Sequence, residues 1–104
     1  GDLDQAILDY TKAIKISPEY VYAYNNRGNS YGIKGDLDQA MSDFNRAIEI
    51  DPNDADLHNN RAVIYLLKHE YEKAWEDVRK GEALGRVAHP KFLEDLKKAS
   101  GIEK

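Results

Sequence analysis

Apolar residues recur along this chain every three or four positions, as they do in a helix that buries one face. Leu37, Ala40, Met41, Phe44 and Ala47 show the pattern clearly, whereas strict alternation of apolar and polar residues, the mark of a half-buried strand, is absent. The pattern therefore predicts an all-α fold. We expect six helices, at about 2–16, 19–33, 36–50, 53–67, 70–84 and 90–100.

Residues that commonly end or begin helices separate these segments. Ser17-Pro18 and Asp51-Pro52 each join a cap-type side chain to a proline, which suits the first position of a helix. Asp36 follows a glycine and is placed to cap the next helix. The resulting connections are only two or three residues long, apart from a longer one before the last helix. We therefore expect successive helices to fold back as hairpins.

The sequence also repeats itself with a period of 34 residues. GDLDQAILDYTKAIKISP at residues 1–18 returns as GDLDQAMSDFNRAIEIDP at 35–52, with 11 of 18 positions identical. An Asn-Asn-Arg run at 25–27 recurs at 59–61, and a third, more divergent copy begins at His69. Each full unit consists of two predicted helices.

This unit resembles the tetratricopeptide repeat, a 34-residue helix-turn-helix family with the signature W-x2-L-G-x2-Y, then A-x3-F, then P. Small residues such as Gly28 and Ala40 match the signature and are expected where two helix axes approach closely. Gly81, where alanine is usual, departs from it. The resemblance implies a right-handed helical-repeat solenoid with a C-terminal capping helix. The matching positions of the central unit are Tyr24, Arg27, Gly28, Tyr31, Ala40, Phe44 and Pro52.

The resemblance divides the chain into four segments. Residues 1–18 are the second helix of an incomplete first repeat, and 19–52 form a complete repeat. Residues 53–86 form a divergent repeat, and 87–104 a capping helix with a tail.

Two arginines, Arg27 and Arg61, stand where tetratricopeptide repeats usually have an apolar residue. We expect their aliphatic stems to pack between helices while their guanidinium groups reach water. The acids Asp9, Asp43 and Asp77 recur at the repeat period, as a solvated outer face would show.

Composition argues against several classes of function. Lys and Arg number 15 against 19 Asp and Glu, a net charge of −4, so we expect no nucleic-acid partner. The longest apolar run, Ala62–Leu67, is far shorter than the roughly 20 residues of a membrane span, so we expect no membrane partner. Cysteine is absent, and His58, His69 and His89 lack the spacing of metal ligands. We expect a cytoplasmic protein without catalytic residues, metal or cofactor.

The resemblance implies that the first helix of each unit lines a concave groove. Function is then expected on helices 19–33 and 53–67, as a scaffold that binds an extended peptide of a partner protein. Asparagine side chains offer donors and acceptors to a peptide backbone, and apolar neighbours offer contact area. The alternative is that the repeated asparagines bridge neighbouring helices. The predicted peptide-binding residues are Tyr22, Asn25, Asn26, Asn29, Ile33, Asp56, Asn59, Asn60, Val63 and Leu67.

The first helix suggests a second hypothesis, self-assembly into a homo-oligomer. Leu3, Ile7, Tyr10 and Ile14 form an apolar face that one neighbouring helix covers incompletely, because residues 1–18 lack the other helix of a full repeat. A second copy of the chain, or a segment upstream of it, would cover this face. Fraying of the helix is the alternative.

The two-carboxylate clamp of co-chaperone tetratricopeptide domains can be compared with this sequence residue by residue. Asn29 and Asn60 match the two asparagines of the clamp, but Asn25, Pro90 and Glu94 occupy positions of its cations. Charge-assisted hydrogen bonds supply most of the affinity of such a clamp. We therefore expect a protein or peptide partner other than an acidic chaperone tail.

Overall fold

A computed structural model describes residues 1–102, and the last two residues of the predicted tail, 103–104, lie outside the described residues. The described chain contains six helices and no strand, which confirms the predicted all-α helical-repeat fold. Every helix end lies within two residues of its predicted position. The helices are α1 (Asp2–Ile16), α2 (Val21–Lys34), α3 (Leu37–Ile50), α4 (Ala55–Leu67), α5 (Tyr71–Ala83) and α6 (Pro90–Ser100). Within residues 1–102, none of these helices has the length and apolar character that crossing a membrane requires.

The two repeated prolines do not begin helices, contrary to the prediction. Pro18 and Pro52 lie in turns, and α2 and α4 begin three residues after them. Ser17 and Asp51 are instead the C-caps of α1 and α3, with ψ angles of 87° and 80°. A proline disfavours helical dihedrals in the residue before it, so each proline ends the preceding helix.

The helices group into two compact units, Gly1–Asn53 and Asp54–Lys104. In the first unit, α2 packs against both α1 and α3. Phe44 of α3 is fully buried, and a Cβ atom added at Gly28 of α2 would lie 3.1 Å from its ring. The close approach predicted at Gly28 is confirmed, since a larger residue would push the two helices apart.

In the second unit, α4 packs against α5, and α6 contacts both helices. Trp75 of α5 is buried in a cluster that includes Ala62 of α4 and Leu96 of α6. The indole Nε1–H of Trp75 donates a hydrogen bond of 3.1 Å to Oγ of Ser100. Trp75 therefore packs between α4 and α6, and α6 covers the apolar side of this unit.

Two turns at equivalent positions of the repeats place a residue in the left-handed backbone region. Gly35 has a φ of 87°, and His69, 34 residues later in the sequence, has a φ of 64°. Glycine adopts this conformation without strain, whereas a residue with a Cβ does not. Among residues 1–102, His69 is the only non-glycine residue with a positive φ.

The repeated acids Asp43 and Asp77 are buried, which corrects the prediction of a solvated face. Each binds the arginine of the preceding helix, so the guanidinium groups of Arg27 and Arg61 pair with carboxylates rather than only reaching water. Burying either charge alone would be costly, and the pair offsets that cost through two hydrogen bonds. Only Asp9, the first acid of the series, is exposed as predicted.

Candidate peptide-binding surfaces

The first candidate surface is the exposed side of α2. Tyr22, Asn29 and Ile33 are exposed there, and Asn25 and Asn26 are half-buried. The Nδ2 group of Asn25 donates a hydrogen bond of 3.3 Å to Oδ1 of Asn26. The structure therefore brings these five predicted residues onto one helix with an amide-rich, partly apolar character.

Arg27 fixes α2 from the side opposite this surface. Its Nε and Nη2 groups donate to the carboxylate of Asp43 on α3 at 2.8 and 2.7 Å, and Nη1 donates to Oγ1 of Thr11 on α1 at 3.1 Å. Hydrogen bonding to Asp43 raises the pKa of Arg27, so the guanidinium stays charged. Its Cζ also lies 5.8 Å from the ring centre of Tyr24 and 5.9 Å from that of Tyr31. One side chain thus ties together all three helices of the first unit.

The second candidate surface lies on α4. Asp56, Val63 and Leu67 are exposed, and Asn60 is half-buried. Behind this surface Arg61 donates to both carboxylate oxygens of Asp77 on α5. α4 is therefore held in the same way as α2, by an arginine on the first helix of the repeat that pairs with an aspartate on the second.

Asn59 is turned toward the rest of its own unit. Its Nδ2 donates a hydrogen bond of 3.1 Å to the backbone carbonyl of Arg86, between α5 and α6. Its Oδ1 is buried without a hydrogen-bond partner, and a Cβ atom added at Gly81 of α5 would lie 2.9 Å from its Cγ. For Asn59 these contacts favour the structural alternative, a bridge between segments, over contact with a ligand. The Arg86 guanidinium also lies 3.3 Å from the carboxylate of Asp56.

The residues predicted for self-association are only partly covered. Leu3, Ile7, Tyr10 and Ile14 are all half-buried, and α1 contains no buried residue. Sequence reasoning missed Ile16, which is 83% exposed at the end of the helix, because it lies outside the strongest apolar stripe.

Tyr10 and Tyr22, predicted for two different sites, are in contact. Their ring centres lie 6.5 Å apart at an interplanar angle of 78°, an edge-to-face arrangement. Tyr20, which the sequence analysis did not select, lies 5.7 Å from Tyr22. Its position immediately before α2 gave no periodic signal.

Candidate catalytic chemistry is sparse in the described part of the chain. No group of three or more His, Asp or Glu side chains in residues 1–102 is arranged to hold a metal ion. His58 is buried, with Nδ1 at 3.4 Å from Oδ1 of Asp77, so it belongs to the arginine–aspartate cluster of its unit.

Comparison with family models finds tetratricopeptide repeats along most of the chain. A model described as tetratricopeptide repeat matches residues 21–54, one described as TPR repeat matches 1–35, and a further tetratricopeptide repeat model matches 44–76. No curated protein matches the sequence significantly.

Solved structures with this arrangement of helices include three tetratricopeptide domains. The TPR2B domain of yeast Sti1, in a complex with pHsp70, has 27% identity and a TM-score of 0.85 over 96% of this chain and 84% of that one. The Sgt2 domain from Aspergillus fumigatus has 25% identity and a TM-score of 0.83 over 96% and 67%. The first such domain of Spaghetti (RPAP3), bound to the HSP90 peptide SRMEEVD, has 24% identity and a TM-score of 0.86 over 97% and 79%, and supports the fold alone.

Proposed function

The chain belongs to the tetratricopeptide repeat family, and we propose that it binds extended segments of a partner protein on the exposed side of α2 in its first unit and on the exposed side of α4 in its second. Membership of this family and the likeness to the yeast Sti1 domain in complex with pHsp70 support a protein-interaction scaffold.

The single observation that carries the proposal is the exposed set on α2. Tyr22, Asn29 and Ile33 point to solvent from a helix that Arg27 holds rigidly against its two neighbours. A preorganised helix loses little conformational freedom when a peptide binds, which favours affinity. The amide of Asn29 can pair with both the N–H and the C=O of an extended peptide backbone.

On α4 the proposal rests on Val63 and Leu67, whose exposed apolar side chains offer contact area. Asn60 and Asp56 flank them as polar groups. Asn59 is excluded from the proposed contact set because its amide bonds to the Arg86 carbonyl.

Selection of binders from a displayed library of random peptides, followed by calorimetry with the full chain, tests this function. The variants Asn29→Ala and Val63→Ala remove exposed groups of the two surfaces, and each should weaken a peptide selected for its own surface about tenfold. Lys97→Ala, an exposed change on α6, is the matched control and should leave affinity unchanged. Unchanged affinity in both test variants, with helicity intact by circular dichroism, would place the binding site elsewhere.

For the acidic chaperone tail we propose that this chain has no useful affinity. Asn25, Pro90 and Glu94 stand at positions where the resemblance places cations of the two-carboxylate clamp. Without them a pair of carboxylates finds few charge-assisted donors. Calorimetry with the peptide SRMEEVD should show no binding, and micromolar binding at ordinary salt would contradict the proposal.

A second candidate function is self-assembly through α1. The observation that favours it is that the apolar face of Leu3, Ile7, Tyr10 and Ile14 is only half-buried and that Ile16 is exposed. Gel filtration with light scattering over a range of concentrations distinguishes the two functions. A mass that rises with concentration and falls in Ile7→Asp supports assembly, whereas a strict monomer at high micromolar concentration removes it.

A further inference from the structure

We propose that Tyr10, Tyr20 and Tyr22 form a platform that binds a basic, proline-rich segment in the polyproline II conformation. We call these three residues the tyrosine platform. The inference rests on the proposed function and adds to it the chemistry of the partner. All three residues lie in the first unit, on α1, on the turn before α2, and on α2.

The platform is a continuous aromatic surface that remains open to solvent. Tyr20 and Tyr22 are 45% and 59% exposed, and their rings lie 5.7 Å apart with an interplanar angle of 31°. The ring of Tyr10 meets Tyr22 edge-to-face at 6.5 Å. Exposed tyrosines are typical of binding surfaces, because the ring supplies a large contact area and loses little conformational entropy when a ligand binds.

The ring spacing decides how a ligand can bind. A group inserted between two rings needs about 3.5 Å of contact distance on each side, or roughly 7 Å in total. The centres of Tyr20 and Tyr22 are only 5.7 Å apart, so a cation cannot enter between them as it does in an aromatic cage. A ligand must instead lie across the outer surface of the rings.

Proline-rich segments have the right shape and polarity for such a surface. They hold an extended helix without internal hydrogen bonds, so they dock on aromatic rings with little loss of conformational entropy. Beside the platform Ser17, Pro18, Glu19 and Tyr20 line a shallow depression of about 500 Å³. This depression gives a projecting side chain of the segment a place next to the rings.

The charge of the first unit selects a basic segment. Residues 1–53 contain nine acidic and five basic residues, a formal charge of −4, whereas 54–104 contain ten of each and are neutral. The unit that bears the platform therefore carries the whole net charge of the chain. Glu19, exposed in the depression next to Tyr20, offers a carboxylate to an arginine or lysine of the segment.

Calorimetry with three synthetic peptides and the full chain tests the inference. The probe is Pro-Pro-Arg repeated four times, and the controls are Gly-Ser-Arg and Pro-Pro-Glu repeated four times. Only the first should bind, and its affinity should fall with added salt. Tyr22→Ala should weaken it about tenfold. Leu8→Ala, an exposed apolar change on the opposite side of α1 from Tyr10, should leave the affinity unchanged.

No binding of the Pro-Pro-Arg peptide, or equal binding of either control peptide, would overturn the inference. Binding that Tyr22→Ala leaves unchanged, with helicity intact, would overturn it as well. The proposed function can survive when this inference fails. If the Pro-Pro-Arg peptide does not bind but a selected peptide without proline loses affinity in Asn29→Ala, binding on α2 is supported and the tyrosine platform is rejected.

Discussion

Arg61 on α4 donates two hydrogen bonds to the buried carboxylate of Asp77 on α5, at 2.7 and 2.8 Å. The same pair, Arg27 with Asp43, joins α2 to α3 one repeat earlier. Hydrogen bonding to the aspartate raises the pKa of each arginine, so both stay charged throughout the ordinary pH range. These pairs hold in place α2 and α4, the two helices whose exposed sides we propose as binding surfaces.

Removing a carboxylate from either pair should destabilise the protein strongly. We expect Asp43→Asn and Asp77→Asn each to lower the free energy of unfolding by about 2–4 kcal/mol, because each leaves a half-buried arginine without its counter-charge. Asp9 holds the equivalent position of α1 but is exposed, so Asp9→Asn is a control that the chain itself provides and should cost less than about 0.5 kcal/mol. Denaturant unfolding measures all three. Equal effects in the three variants would show that the two arginine–aspartate pairs add no more to the free energy of unfolding than an exposed aspartate does.

Gly81 and Asn59 should be energetically coupled. In an exposed helix Gly→Ala stabilises by about 1 kcal/mol, but a methyl group at position 81 would collide with the amide of Asn59 and disturb its bond to Arg86. We expect Gly81→Ala to be neutral or destabilising in the natural sequence and stabilising in the Asn59→Ala background. A double-mutant cycle measures the coupling, which should exceed about 1 kcal/mol. Additive effects would contradict the contact.

The left-handed turns predict opposite effects for two substitutions at equivalent positions. His69→Gly should stabilise the protein by about 1 kcal/mol, because glycine adopts a φ of 64° without the strain that a Cβ atom brings. Gly35→Ala should destabilise it by a similar amount. His69→Gly also loses the contact of 2.8 Å between Nδ1 of His69 and the hydroxyl of Tyr71, and this loss reduces the gain in stability. Thermal unfolding of both variants checks the signs, and a loss of stability in His69→Gly would show that this contact outweighs the strain.

An ion pair between α1 and the end of α2 should be visible in a pH titration. Hydrogen bonding to Lys34, and then its charge, lower the pKa of Asp4 below the ordinary value of about 3.9. The contribution of Asp4 to stability is therefore present above that value and is lost as the pH falls through the lower pKa of the folded state. Carbon-13 NMR of the carboxyl group should show the lowered pKa and its return toward the ordinary value in Lys34→Gln. Lys12→Gln is the control, and an unchanged pKa in Lys34→Gln would refute the pairing.

The fold could be predicted from the sequence because the period of apolar residues and the 34-residue repeat both report on helix packing. Gly28 and Phe44 illustrate this, since the missing side chain of one makes room for the ring of the other. The predicted starts of α2 and α4 were less accurate. Pro18 and Pro52 fit both the first position of a helix and the turn before it, and only the extended backbone of the residues before them decides between the two.

The side-chain pairings were harder to predict. Asp43 and Asp77 recur at the repeat period, but a period of 34 is equally consistent with a buried and an exposed position. The missed signal was that an arginine precedes each of them by 16 residues. The contact of Asn59 escaped prediction for a similar reason: its partner, the carbonyl of Arg86, lies in the segment between α5 and α6, where the repeat pattern ends.

Nitrogen-15 NMR of the full chain during titration with selected peptides tests the proposed binding surfaces on α2 and α4 most directly. We predict that the side-chain amide of Asn29 shifts with a peptide bound on α2 and the backbone amides around Val63 with one bound on α4, while those around Leu8 and Lys97 stay in place. Shifts confined to α1 or α6, with the signals of α2 and α4 unchanged, would contradict it.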